Sequence, residues 1–182
     1  KVVKLLTSGV SAGLKARKVE MKEGRGVLKG RSGARGALLV QAAGETFEGK
    51  NVIIASGSST LIPPIEGLKE SLESGFAVTS RQMLSLAAPP RRLCVVGAGV
   101  IGLELAAYYA AFSEITVLEM LPKIAGPHDA ELSALLQKEY EKKGVSFRLG
   151  AKVVRIGGGK VDYEREGRTE SVECDMCLVC IG

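Results

Sequence analysis

The sequence has few aromatic residues and almost no histidine. Its 182 residues include no tryptophan, four tyrosines, four phenylalanines and a single histidine, His128. Because hydrophobic residues make up 46% of the chain, the predicted core is largely aliphatic. His128 is interpreted as a loop residue rather than a catalytic base. No apolar run approaches the roughly 20 residues that cross a membrane, so no membrane partner is predicted.

The sequence also lacks a strong excess of charge. Its net charge is +5, and only a mild basic cluster stands out, formed by Lys15, Arg17, Lys18, Lys22 and Arg25. Nucleic-acid surfaces combine clustered basic residues with aromatic residues that stack on bases, and none are interleaved here. The cluster is therefore interpreted as a solvated face, and no nucleic-acid partner is predicted.

Four cysteines occur, and three of them follow the spacing C-x-x-C-x-x-C at Cys174, Cys177 and Cys180. This spacing admits a metal-binding or redox module. The surrounding run is apolar and typical of a buried parallel strand, in which residues three apart point to opposite faces. We therefore expect Cys174 and Cys177 to diverge, as well as Cys177 and Cys180, and predict structural cysteines with no metal site.

The most informative stretch runs from Leu93 to Glu119. A β-forming run ends in a glycine-rich turn of the pattern GxGxxG, formed by Gly97, Ala98, Gly99, Val100, Ile101 and Gly102. A helical segment follows, and then a second β-forming run ends on Glu119, 22 positions after the first glycine. Strand, glycines, helix, strand and acid in this order are the fingerprint of a dinucleotide-binding unit.

Each part of the fingerprint has a physical role. Gly97 permits the tight turn, Gly99 lets the backbone approach a pyrophosphate, and Gly102 allows the helix to pack on the strand. The start of the helix offers free N–H groups to the phosphates. The Glu119 carboxylate would accept hydrogen bonds from the adenosine ribose and repel a 2′-phosphate, so the predicted cofactor is NAD rather than NADP.

The rest of the chain predicts an α/β organisation. We expect a helix over residues 2–14, strands over 18–22, 27–28, 37–42, 45–49 and 51–55, and a short helix near Thr79. After the proline pair at residues 89–90, the expected elements are the fingerprint, a helix from the Asp129 cap to Lys143 with an apolar face, a strand over 145–149, a second meander over 152–173 and a strand over 177–181. The boundary between two domains is predicted at about residue 89.

The chain resembles the flavin-dependent pyridine nucleotide–disulfide oxidoreductases, most closely the branch that oxidises dihydrolipoamide. The resemblance rests on the runs at residues 52–58, 95–105, 117–119 and 178–182. It implies a Rossmann-like NAD-binding domain with a parallel sheet and a β-meander over residues 89–182. Residues 1–88 would be part of a related FAD-binding domain and a linker.

The resemblance also assigns roles to residues outside the fingerprint. Glu104 would lie near the nicotinamide and the flavin, Val153 beside the adenine, and Gly182 near the nicotinamide end. On the FAD side, the residues implied are Gly26, Ser56, Gly57 and Ser58. No catalytic residue is assigned, since no cysteine pair has the four-residue separation of the family's redox disulfide.

The function implied is that of the NAD-binding portion of a dihydrolipoamide dehydrogenase. Such an enzyme uses FAD and a redox disulfide to oxidise dihydrolipoamide carried on an acyltransferase or carrier protein, and it reduces NAD. The chain starts at Lys1 and stops directly after an apolar run, so we expect a piece of a longer protein that is inactive alone. The whole protein would be a homodimer, in the mitochondrial matrix of a eukaryote or otherwise in the cytoplasm.

Three alternatives stay open. One is another family member, such as a mercuric reductase or a transhydrogenase; a glutathione reductase is disfavoured by Glu119, because that enzyme uses NADP. The second is a nucleotide-binding module without catalysis. The third is a metal-binding module built on the three clustered cysteines.

Overall fold

The computed structural model describes residues 2–33 and 36–181. The chain divides into two compact units. The first unit ends at Gly57 and the second begins at Ser58. The first unit contains α1 (Val2–Ala16), β1 (Val27–Arg31), β2 (Leu38–Ala42) and β3 (Glu45–Gly49). The second unit contains α2 (Leu68–Ser74), β4 (Ala77–Thr79), α3 (Ser80–Met83), β5 (Arg92–Val96), α4 (Val100–Tyr109), β6 (Glu114–Glu119), α5 (Ala130–Lys142), β7 (Val145–Leu149), β8 (Lys152–Gly157), β9 (Lys160–Arg165), β10 (Arg168–Glu173) and β11 (Met176–Val179).

The first unit is an antiparallel meander with one helix. Strands β1, β2 and β3 form a three-stranded sheet in chain order, as the meander prediction requires. Two other predictions for this unit are wrong. Residues 18–22 form no strand, and neither do residues 51–55, where Ile53 is 89% exposed and Ile54 is 77% exposed. A β-forming run becomes a buried strand only where a neighbouring strand satisfies its backbone groups.

The second unit is built on a parallel sheet. Its five strands lie in the order β4-β11-β5-β6-β7, and each neighbouring pair is parallel. A separate antiparallel sheet contains β8, β9 and β10. This arrangement confirms the predicted α/β fold class, with a parallel sheet and two meanders. Because β4 belongs to the large sheet, the second compact unit begins well before residue 89. The assignment of residues 1–88 to an FAD-binding domain and of residues 89–182 to an NAD-binding domain stays a prediction.

Both faces of the parallel sheet are covered. Alternate residues of β5 point to opposite sides: Leu93 and Val95 join one apolar cluster, and Cys94 and Val96 join the other. The first cluster includes residues of α4, and the second includes residues of α2 and of the β8–β9 hairpin. A strand buried on both faces explains why the sequence of β5 is continuously apolar.

Helix boundaries in the second unit follow their local sequence. The Asp129 carboxylate accepts hydrogen bonds from the N–H groups of Glu131 and Leu132 at 2.9 and 3.1 Å, as predicted for the cap of α5. Thr79 caps α3 in a capping box with Gln82. The predicted apolar face of α5 is buried only in part, where Tyr140 packs against the first apolar cluster. Its leucines Leu132, Leu135 and Leu136 are exposed.

The cysteines pack differently from the prediction. Cys94 and Cys177 are register partners on neighbouring strands, and Cys174 joins the same apolar cluster. The predicted divergence of Cys174 and Cys177 is wrong, because Cys174 precedes the start of β11 and strand alternation does not reach it. Cys180 packs against the opposite cluster, so its divergence from Cys177 is confirmed. Hydrogen bonding to Cys94, together with burial, raises the pKa of the Cys174 thiol well above its usual range.

Residues 2–33 and 36–181 contain neither a candidate membrane-spanning helix nor a candidate metal-binding cluster. No helix there is long and apolar enough to cross a membrane. No group of three or more His, Cys, Asp and Glu residues there has an arrangement that could hold a metal ion.

Candidate functional site

The glycine turn lies between β5 and α4, and two of its glycines are required by close packing. Gly97 has φ of +103°, and a Cβ atom there would lie 2.6 Å from the carbonyl oxygen of Cys180. A Cβ atom on Gly102 would lie 2.1 Å from the carbonyl oxygen of Gly97. These distances are far below van der Waals contact, so a side chain at either position would displace the backbone of the turn.

Gly99 differs from the other two glycines. It is the N-cap residue of α4, with extended backbone angles (φ −74°, ψ −178°) and no side-chain cap hydrogen bond. A Cβ atom placed on it would meet no heavy atom within 4 Å. Packing therefore does not demand glycine here. The open space in front of the first N–H groups of α4 suits an anion, which the partial positive charge of a helix N-terminus stabilises.

Ala98 connects the turn to its neighbours through its backbone. It is fully buried, its N–H donates to Glu119 Oε2 at 2.7 Å, and its carbonyl accepts from the Ala125 N–H at 2.9 Å. Ala98 therefore fixes the position of the turn relative to the end of β6 and to the following loop.

Glu119, the last residue of β6, has a fixed carboxylate. Oε2 accepts from Ala98 as described, and Oε1 accepts from the Leu121 N–H at 2.8 Å. An ionised carboxylate offers about four acceptor positions, so these two bonds orient the group and leave acceptor capacity on each oxygen. That capacity matches a pair of neighbouring hydroxyl groups, as on a ribose.

The loop after β6 is held in place by one lysine. The Lys123 ammonium donates to the carbonyl oxygens of Gly126 and His128, and the neighbouring Ile124 is fully buried. His128 contributes its backbone to this arrangement, in keeping with its interpretation as a loop residue. The sequence pattern does not predict these two hydrogen bonds, because their acceptors are backbone carbonyl groups that any residue carries.

These elements surround a cavity of about 430 Å³. Four residues predicted to bind NAD line it: Gly97, Gly99, Glu119 and Val153. The lining also includes residues that the sequence analysis missed, namely Ile65, Val96, Leu118, Met120, Leu121, Gly126, Ala151, Lys152, Cys180 and Ile181. Burial raises the pKa of the Cys180 thiol to about 11, so this thiol is protonated and weakly nucleophilic at neutral pH.

The remaining predicted NAD residues lie elsewhere. Val100, Ile101 and Glu104 are exposed on α4, and none of them belongs to the cavity lining. Gly102 serves the packing of α4 on the turn, and Ala98 acts through its hydrogen bonds. Gly182 lies outside the described residues.

The residues predicted to contact FAD are exposed and outside regular structure. Gly26 precedes β1 and Ser56 and Gly57 end the first unit, whereas Ser58 begins the second. Gly57 has φ of +77°, which is typical of a glycine turn. Their assignment to FAD stays a prediction.

The sequence profile of the pyridine nucleotide-disulphide oxidoreductases matches residues 1–182. The chain belongs to this family.

Relatives of this chain include proteins named dihydrolipoyl dehydrogenase. The chain is 37% identical to a dihydrolipoyl dehydrogenase of Acholeplasma laidlawii, over 100% of this chain and 52% of that protein. It is 34% identical to a mitochondrial dihydrolipoyl dehydrogenase of Schizosaccharomyces pombe, over 99% of this chain and 36% of that protein. The chain thus spans about half or less of the length of these relatives.

A solved structure supports the fold. The HOCl-induced flavoprotein disulfide reductase RclA from Escherichia coli, determined as a Cu(II) complex, superposes with a TM-score of 0.66 at 23% identity. The alignment covers 87% of this chain and 35% of the reductase. At this identity the likeness concerns the fold alone.

Proposed function

We propose that this chain is the NAD-binding portion of a flavin-dependent dihydrolipoamide dehydrogenase. Residues from about 89 onwards would form the NAD-binding domain, and residues 1–88 would be part of the FAD-binding domain with a linker. The naming of relatives at 34–37% identity supports dihydrolipoamide as the substrate of the whole enzyme.

One observation carries the proposal: the glycine turn and the fixed Glu119 carboxylate, joined by the hydrogen bond from Ala98, line a single cavity. The two features match the two polar parts of a dinucleotide. The N–H groups at the start of α4 would bind the pyrophosphate above Gly99, and Glu119 would accept hydrogen bonds from the adenosine ribose. Val153 would contact the adenine. Cys180 and Ile181 would border the nicotinamide end, next to Gly182.

The other predicted residues have supporting roles in this proposal. Ala98 and Gly102 shape the turn. Val100 and Ile101 begin α4 and would hold the pyrophosphate with the turn, whereas Glu104 would face the nicotinamide and the flavin. When bound, NAD supplies the hydride-accepting nicotinamide carbon, and FAD supplies electron transfer from a redox disulfide. The chain's own contribution is to bind and orient NAD.

The chain alone is proposed to have no dehydrogenase activity. Three of its cysteines, Cys94, Cys174 and Cys177, are buried in the second unit, and no two cysteines have the separation of the family's redox disulfide. The whole enzyme is proposed to be a homodimer that acts on dihydrolipoamide borne by an acyltransferase or carrier protein. Its location would be the mitochondrial matrix of a eukaryote or, otherwise, the cytoplasm.

Calorimetric titration of the chain with NADH and, separately, NADPH tests this function. We expect NADH to bind and NADPH to bind at least about tenfold more weakly, because the charge of Glu119 opposes a 2′-phosphate. Circular dichroism of the same sample establishes that the chain is folded. A folded chain that binds neither nucleotide would contradict the proposal.

A further inference from the structure

The residues that line the cavity include one basic residue, Lys152, as well as the acidic Glu119. Of the described residues that line the cavity, Glu119 and Lys152 are the two that carry charge. Their backbones are adjacent, since the N–H of Ala151 donates to the carbonyl oxygen of Glu119 at 2.8 Å and Lys152 follows directly. Lys152 opens β8, so its position is fixed by the β8–β9 hairpin.

The two charged groups differ in their engagement. The Glu119 carboxylate already accepts two backbone hydrogen bonds. By contrast, the Lys152 ammonium takes part in none of the ion pairs or side-chain hydrogen bonds formed among the described residues. Glu164 lies opposite Lys152 in the β8–β9 register, but the two side chains form no ion pair within 4.0 Å. The Lys152 side chain is exposed, so its ammonium is open to an anion.

A 2′-phosphate would enter at this position. On the proposed function, the adenosine ribose lies against Glu119, so a phosphate on its 2′-oxygen would lie near both the carboxylate and the start of β8. The carboxylate would repel the phosphate, whereas a lysine ammonium attracts phosphate as a mobile point charge with three donors. On the proposed function, two lining residues of opposite charge, Glu119 and Lys152, thus lie at the part of the cavity where NAD and NADP differ.

We propose that Lys152 is a latent ligand for the 2′-phosphate of NADP, masked by the charge of Glu119. The inference rests on the proposed function and names a specificity residue for the same cavity. The preference for NAD then depends on one carboxylate, because the cation that would hold NADP is already in place. Replacing Glu119 with a neutral residue would remove the repulsion and allow Lys152 to bind the 2′-phosphate.

A double-mutant cycle tests the inference. The variants are Glu119→Gln, Lys152→Met and the two combined, each titrated with NADH and NADPH at low and high salt. We expect Glu119→Gln to strengthen NADPH binding by about tenfold or more, and Lys152→Met to remove most of that gain. A tenfold or larger gain in affinity is the size expected from one charge-assisted hydrogen bond. The gain should shrink at high salt, because exposed charges are screened.

Lys138→Met in the Glu119→Gln background is the matched control. Lys138 is exposed on α5, so its replacement changes the net charge equally without touching the cavity lining. Loss of the NADPH gain with Lys152→Met, but not with Lys138→Met, supports the inference. An equal NADPH affinity in Glu119→Gln with and without Lys152 would overturn it.

Two further outcomes also count against the inference. Glu119→Gln that still binds NADH but gains no affinity for NADPH would show that no latent phosphate ligand exists. A folded unmutated chain that binds no NADH contradicts the proposed function itself, and the inference falls with it. The first failure leaves NADH binding intact and the second does not, so the two are distinguishable.

Discussion

Replacing Gly99 with alanine separates the folding role of the glycine turn from its binding role. The backbone angles of Gly99 (φ −74°, ψ −178°) suit any residue, and an added Cβ atom meets no heavy atom within 4 Å. The folded state therefore accommodates alanine without strain. The remaining cost is the poorer N-cap preference of alanine, which is about 0.5–1 kcal/mol.

The effect on NADH binding should be larger. A methyl group in front of α4 would hold a phosphate oxygen at carbon–oxygen contact distance, instead of the roughly 2.9 Å that an N–H···O hydrogen bond requires. Losing one charge-assisted hydrogen bond costs about 1.5–3 kcal/mol, which corresponds to roughly 10- to 150-fold weaker binding.

Two assays on one sample measure both effects. Calorimetry gives the Kd for NADH, and thermal unfolding followed by circular dichroism gives the Tm. We expect Gly99→Ala to raise the Kd at least about tenfold and to lower the Tm by no more than about 5 °C. Gly102→Ala is the contrasting control, because its Cβ atom would clash with the Gly97 carbonyl and cost the fold as well. NADH binding by Gly99→Ala that equals the unmutated chain would refute the pyrophosphate position.

Two other predictions concern buried groups of the same unit. Tyr109→Phe should lower the free energy of unfolding by about 1–3 kcal/mol in urea titrations, because the Tyr109 hydroxyl donates to the Met83 carbonyl at 2.7 Å in the core and its loss leaves that acceptor unsatisfied; unchanged stability would contradict this. Alkylation of Cys180, followed by mass spectrometry, should be slow at pH 8 and rise about tenfold per pH unit towards its pKa of about 11, and NADH should slow it further. Labelling at the rate of a free thiol would contradict both the burial and the cavity position.

The sequence predicts the centre of the site well because its determinants are local. Gly97, Gly99 and Glu119 belong to one strand–helix–strand unit, in which each residue type follows from the turn, the helix start or the strand end. The cap of α5 is predictable for the same reason, since Asp129 bonds only to residues two and three positions ahead. Interactions of this short range can be predicted from residues that are neighbours in the sequence.

The rest of the cavity depends on topology. Ile65, Lys152 and Ile181 come from three separated segments, and they meet because β11 lies between β4 and β5 and the β8–β9 hairpin packs over the sheet. No spacing in the sequence encodes that meeting. The error over Cys174 has a related cause. The alternation rule depends on where a strand starts, and β11 starts two residues later than Cys174.

The run at residues 51–55 shows why an apolar pattern alone does not specify a strand. Its β-branched residues match a buried strand, yet Ile53 and Ile54 are 89% and 77% exposed, and the three strands of the first unit lie elsewhere in the sequence. Burying one isoleucine side chain stabilises a fold by about 1.5–3 kcal/mol, and neither isoleucine is buried enough to contribute that stabilisation.

Replacing both Ile53 and Ile54 with serine should therefore leave the Tm within about 2 °C of that of the unmutated chain. It should also reduce self-association, measured by analytical ultracentrifugation, since exposed apolar patches promote contact between molecules. Val117→Ser, at a fully buried site in β6, is the control that should lower the Tm strongly. If the double serine variant instead lost stability as Val117→Ser does, the two isoleucines would be buried in solution, and the strand expected from the sequence would form after all.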